Sequence, residues 1–191
     1  METTIKPLTP ELINDYLFFF DNMVFIENPD WEKCYCYSFH FVGPNEKWNK
    51  KDNRTAVTKM IQAGTMKGYL AFVDDRPIAW CNVNKQNNYQ RLTQIYKLEN
   101  PPGKKVCSIV CFLVSPEYRG MGIAKKLLNK VMEDYSAKDF DYLEAYPDKS
   151  GNSCEKNYKG PLSLYTKNGF EIKSENNHYY VVRRELNGRI Y

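Results

Sequence analysis

The 191-residue chain has room for one well-cored domain, and its 42% hydrophobic and 26% charged residues are ordinary for a globular protein. With 27 basic against 23 acidic residues its net charge is +4, spread without a block of like charges, so composition gives no case for nucleic acid as a partner. Apolar runs such as Tyr16 to Phe20 are far too short to span a bilayer, so no membrane association is expected.

Aromatic residues are plentiful, with 15 Tyr, 10 Phe and 3 Trp, and they supply either an aromatic core or an aromatic-lined pocket. Met1-Glu2-Thr3-Thr4 lacks the basic-then-apolar plan of a secretory leader, so the six cysteines read as reduced thiols in a cytoplasmic protein.

In chain order, Ile5 to Leu8 reads as a first strand. Thr9-Pro10-Glu11 then opens a helix carrying Leu12, Ile13, Tyr16, Leu17 and Phe20 at helical spacing. Trp31 to Val42 is ambiguous, and Cys34 to Phe41 fits a strand buried on both faces. Asn53 to Ala63 reads as a helix ending at Gly64. Gly68 to Val73 and Ile78 to Val83 flank the turn Asp74-Asp75-Arg76-Pro77 and predict a hairpin. The polar stretch from Asn84 to Lys104 reads as a loop or lid on the substrate side.

The second half alternates more plainly. Val106 to Val114 reads as a strand, Gly122 to Tyr135 as a helix and Phe140 to Tyr146 as a strand, which makes a parallel βαβ unit. A helix near Gly160–Asn168, with Pro161 at its first position, precedes strands near Phe170–Ser174 and His178–Arg184. The whole predicts an α/β (mixed α+β) domain spanning 1–191, with a mixed sheet and helices on both faces.

The chemistry concentrates where the central strand meets its helix. The strand stops at Ser115-Pro116 and passes through Arg119-Gly120-Met121-Gly122-Ile123-Ala124 into an amphipathic helix. One face of that helix is Ile123, Leu127, Leu128, Val131, Met132 and Tyr135. Such a junction leaves backbone N–H groups free at the positive end of the helix dipole, where a phosphate is the natural ligand. Glycines 120 and 122 let the backbone approach phosphate oxygens, and the small Ala124 extends that approach.

Arg119-x-x-Gly122-x-Ala124 resembles the Arg/Gln-x-x-Gly-x-Gly/Ala signature of the GNAT superfamily of N-acetyltransferases. Leu164-Tyr165-Thr166-Lys167-Asn168-Gly169-Phe170 resembles that family's Leu-Tyr-x-x-x-Gly-Phe. No Gly-x-x-x-x-Gly-Lys-Ser/Thr and no Gly-x-Gly-x-x-Gly competes with it.

The resemblance implies a mostly antiparallel twisted sheet, flanked by helices, with a splayed parallel strand pair that binds coenzyme A. It implies acetyl-CoA as cosubstrate, no metal, and acetyl transfer to a primary amine by direct attack in a ternary complex, the amine being a small molecule or a peptide. Phe112, Leu113 and Val114 would meet the pantetheine arm, and Arg119, Gly120, Met121, Gly122, Ile123 and Ala124 the pyrophosphate. Tyr165 stands where the family keeps the general acid that protonates the leaving thiolate.

The strand before the turn offers Cys107 and Ser108 where some members carry a glutamate. Glu144 is the tentative base; His40 and a chain of waters are the alternatives. Asn157 sits one residue out of register with the family's asparagine. Lys125 and Lys126 face either solvent or the coenzyme's phosphates. Cys34, Cys36 and His40 lack the spacing of a zinc site and form either a buried wall or part of the acceptor pocket, which residues 1–67 are expected to shape. The reading from a different class is a non-catalytic acetyl-CoA-binding regulatory or interaction module, and the chain is expected as a monomer or homodimer.

Overall fold

A computed structural model describes residues 2–96, 98, 100–150 and 157–186. Seven strands form one sheet: β1 Thr4–Pro7, β2 Gly68–Val73, β3 Arg76–Lys85, β4 Val106–Val114, β5 Tyr142–Ala145, β6 Glu171–Glu175 and β7 Tyr180–Glu185. Their spatial order is β1-β2-β3-β4-β5-β7-β6, and every neighbouring pair is antiparallel except β4 with β5. The helices are α1 Ile13–Asn22, α2 Lys50–Gln62, α3 Leu92–Ile95, α4 Ile123–Ser136 and α5 Leu162–Thr166.

The central strands are buried throughout because helices cover both faces, which is why their sequences run apolar instead of alternating. Tyr16, Phe19 and Phe20 of α1 and Val57 and Ile61 of α2 pack on one face with Trp80 and Leu113. Ile123, Leu127, Leu128 and Val131 of α4 pack on the other with Ile109, Phe112 and Tyr165. The expected apolar stripe of α4 is therefore its buried face. The β2–β3 hairpin turns on Asp74 and Asp75, both in the left-handed region at φ 47° and 60°, as a tight hairpin turn requires.

One irregularity in β4 places the site. Its register with β3 runs Asn82↔Cys111 and then Val83↔Ile109, so Val110 is an extra residue. This bulge turns Val110 and Cys111 toward the α1 face, while Ile109 and Phe112 face α4. Pairing with β5 ends at the same point, with Ile109↔Ala145 as the last pair. Beyond it the two parallel strands part, and the β5-facing edge of the last residues of β4 opens into a cleft.

Four local expectations need correction. Cys34 to Phe41 is a run of overlapping turns, in which Cys34, Tyr37 and His40 donate to Trp31, Cys34 and Tyr37 respectively. Tyr35 and Cys36 are left-handed at φ 44° and 52°, which no strand permits; the segment is apolar because it is wedged into the α1 core. α2 starts at Lys50, three residues before the expected Asn53, because the Asn49 side chain caps the Asp52 N–H at 2.9 Å. The stretch 84–104 is not simply an open loop: β3 continues to Lys85, and Tyr89, Leu92 and Tyr96 are buried in the core. Pro161 stands just outside α5 in extended conformation, and the helix begins at Leu162.

Candidate functional site

The turn between β4 and α4 is built for an anion. Gly120 and Gly122 are both left-handed, at φ 75° and 76°, and Gly122 caps α4 with no side-chain hydrogen bond to its first turn. A Cβ at either glycine would meet nothing within 4 Å, so it is backbone conformation that requires glycine here; the space beside them is open. α4 is 14 residues long and has no acidic residue in its first turn, so its positive end faces that space undiminished.

A cavity of about 420 Å³ begins there and runs along the freed edge of β4. Of the expected coenzyme residues, Phe112, Val114, Arg119, Gly120, Gly122, Ile123 and Ala124 line it, together with Lys125. Leu113 does not: alternation along β4 turns it to the opposite face, into the α1 core. Met121 does not line it either and is 55% exposed. The far wall is Asn157, Gly160, Pro161 and Leu164, and Tyr118 joins from the turn. The sequence points to Asn157 through its place beside the family's asparagine and to Leu164 through the Leu-Tyr-x-x-x-Gly-Phe match, whereas Tyr118 carries no chemical signature that would single it out. The Asn157 Oδ1 is buried with no partner among the described residues, so it is an acceptor in need of a donor.

Two groups expected to face a ligand are already engaged. The Phe112 N–H donates to the Tyr158 carbonyl at 2.5 Å, so the segment after residue 157 lies along β4 where the strands part. The Arg119 guanidinium does not point into the turn. It pairs with Glu27 and donates from Nε to the Val114 carbonyl at 3.2 Å.

Tyr165 is fully buried one layer behind the wall, between Phe112 and Phe170, and its hydroxyl donates to the Lys159 carbonyl at 2.5 Å. Burial raises its pKa well above the ordinary phenol value. Gly160, left-handed at φ 76°, leaves the room for that hydroxyl: a Cβ there would lie 3.1 Å from it.

Glu144 is fully buried, not at solvent. It accepts from Gln86 at 2.9 Å, from the Tyr146 hydroxyl at 2.8 Å and from Arg183 Nε at 2.8 Å. Tyr146 in turn shares a 2.7 Å hydrogen bond with Ser108, so Glu144 ends a buried hydroxyl chain and does not line the cavity.

His40 is buried against Tyr89 and Tyr37, and desolvation lowers its pKa to about 4. Burial and the neighbouring Cys36 raise the Cys34 thiol to about 11. Burial also pushes Cys36 upward, but hydrogen bonds from Cys111 and Asn82 outweigh it and leave that thiol below its usual value. Cys154 lies outside the described residues. Among the described residues no group of three His, Cys, Asp or Glu side chains is placed to hold a metal, and no helix is long and apolar enough to cross a membrane.

Several solved structures share this architecture. One is the PaiA N-acetyltransferase of Thermoplasma acidophilum in complex with coenzyme A (16% identity, TM-score 0.59, covering 97% of this chain and 99% of that one). An N-acetyltransferase from Staphylococcus aureus Mu50 gives the same four values. The IAA acetyltransferase of Bacillus cereus is 18% identical with a TM-score of 0.53, covering 97% and 100%. At such identities the likeness is one of fold. No curated protein matches in sequence. Residues 26–170 match the family model described as Acetyltransferase (GNAT) family, and the chain belongs to that family.

Proposed function

We propose that the chain transfers an acetyl group from acetyl-CoA to a primary amine by direct attack in a ternary complex. The observation that carries this reading is the uncapped start of α4, with Gly120 and Gly122 left-handed, opening on a cavity that follows the freed edge of β4. A pyrophosphate at the helix start and an extended, amide-bearing arm along the strand fit that shape. Asn157, with its unpartnered Oδ1, suits an N–H of the arm. The coenzyme A complex of the Thermoplasma relative is consistent with the same ligand here.

For the chemistry, the amine must arrive neutral, although a free alkylamine has a pKa of about 10.4. No carboxylate among the described residues lines the cavity, and we assign the proton's departure to water. Glu144 takes part only through Tyr146, as the buried acceptor that fixes that hydroxyl. Attack on the thioester carbon forms the C–N bond, and the C–S bond then breaks to release a thiolate whose pKa in water is about 8.5. We assign Tyr165 to that thiolate. Its raised pKa makes it a hydrogen-bond donor first and a proton donor only to a sulfur whose charge is buried beside it. The Lys159 carbonyl holds the hydroxyl until that charge develops.

The test is thiol release from acetyl-CoA across a panel of amines, beside Tyr165→Phe. Amine-dependent release, with kcat lowered about 100-fold in the variant, is expected. Coenzyme binding with only slow, amine-independent hydrolysis would establish the non-catalytic module instead.

A further inference from the structure

A second cavity, of about 290 Å³, lies on the α1 side of β4. Its walls are Phe25, Trp31, Trp48, Tyr158 and Leu113, with the thiols of Cys34, Cys36 and Cys111 between them. A third space lies between the two cavities. A narrow space of about 20 Å³ touches Phe112, Val114 and Arg119 of the coenzyme cavity and also Phe25, Trp31, Leu113 and Tyr158 of this one. A nucleophile held in the second cavity therefore faces the residues at the parted end of β4.

The walls are flat and fixed before any ligand arrives. Trp48 stacks on Tyr37 at 6.3 Å with 10° between the rings, and Phe41 braces it at 5.0 Å. Trp31 meets Tyr158 edge-on at 5.5 Å. Preorganised aromatic walls favour a flat partner because little side-chain freedom is lost on binding. Among the described residues Asp30 and Lys33 are the charged ones on the lining, and both are exposed. One charge of each sign attracts neither a polycation nor a phosphorylated compound. The volume sits at the lower end of the roughly 300–1,000 Å³ of ligand sites.

Resting on the acetyl-transfer reading above, we infer that this cavity is the acceptor site and that its acceptor is a small primary amine with a flat apolar body, of the arylalkylamine class. Polyamines and aminosugars need rows of carboxylates or hydroxyl partners, whereas the described walls offer one carboxylate, Asp30, and two hydroxyls, Ser38 and Tyr158. A lysine side chain carries no ring for the indoles to grip.

The experiment titrates the full chain, saturated with coenzyme A, with 2-phenylethylamine, tryptamine, spermidine and lysine methyl ester by calorimetry, and runs thiol release on the same panel. The aromatic amines should bind at least about tenfold more tightly than the other two. Trp48→Ala should weaken them by about tenfold, and Cys34→Phe, which fills the cavity, should abolish their binding while coenzyme affinity holds. Spermidine or the lysine ester binding as tightly, no amine binding at all, or aromatic binding indifferent to both variants would overturn the inference. The two readings fail separately. Aromatic binding without thiol release upholds the site and removes the transfer reaction, whereas thiol release led by spermidine upholds transfer and removes this acceptor.

Discussion

Arg119, in the turn that leads into α4, pairs with Glu27, 92 residues earlier in the chain. The pair ties the loop after α1 to the turn before α4, beside the narrow space between the two cavities that Arg119 also lines. Both side chains are partly exposed, so the pair adds little to stability. Its consequence is for binding, because in the proposed coenzyme mode a pyrophosphate at the turn would compete with Glu27 for the same guanidinium. Glu27→Gln should leave the melting temperature within about a degree or two and tighten coenzyme A by about threefold, the scale of an exposed charge pair. Calorimetry at low salt measures it, and an unchanged or weaker affinity would show that Arg119 does not reach the phosphates.

The glycines separate backbone need from ligand space. Gly122→Ala forces a left-handed alanine at a cost of about 1–2 kcal/mol and places a methyl in the open cavity, so coenzyme affinity should fall with only moderate loss of stability. Gly160→Ala carries the same backbone cost and also sets its Cβ 3.1 Å from the Tyr165 hydroxyl and 3.3 Å from Leu164. It should be the less stable variant by a further 1 kcal/mol or so. Denaturant melts beside coenzyme titrations distinguish them: Gly122→Ala is marked by lost binding and Gly160→Ala by lost stability.

These contrasts bear on how much the sequence could say. β4 was legible to its ends, since an apolar run closed by Ser115-Pro116 has few other readings. α4 was legible because its stripe repeats at helical spacing. The turn between them was legible because glycine in that setting has a specific backbone use. The cavity proposed for the coenzyme was half legible: its near wall is contiguous in sequence, whereas Gly160, Pro161 and Leu164 reach it only through tertiary packing. Cys34 to Phe41 misled because an apolar run implies burial without saying which backbone is buried, and here overlapping turns pair the N–H groups of Cys34, Tyr37, His40 and Phe41. The bulge at Val110, which parts the strands, leaves no mark in a run of uniformly apolar residues.

Glu144 and Arg183 form a buried ion pair whose worth lies in being complete. Glu144→Gln keeps the shape but removes the carboxylate facing a guanidinium that is only 8% exposed, and should cost about 3 kcal/mol. Replacing both residues by Leu should recover much of that loss. If amine acetylation in Glu144→Gln keeps its pH profile once stability is accounted for, the carboxylate has no part in carrying the proton. A profile displaced in the variant would assign it one.

His40 makes the acid limb of stability. The folded chain holds it neutral with a pKa near 4, against about 6.5 in the unfolded chain. As pH falls below 6.5 the unfolded state takes up a proton that the folded state does not, so stability is full above 6.5 and declines continuously toward pH 4. The gap corresponds to about 3 kcal/mol at most. The ring packs against Tyr89 at 4.9 Å, tilted by 42°, and its Nε2 is buried with no partner among the described residues; a backbone hydrogen bond at Asn88 favours the charged ring, but desolvation outweighs it. His40→Gln removes the titrating group and should flatten this part of the curve, while costing some packing at every pH. Urea midpoints measured from pH 4 to 8 decide it: parallel curves for the two proteins would mean that His40 ionises as readily folded as unfolded.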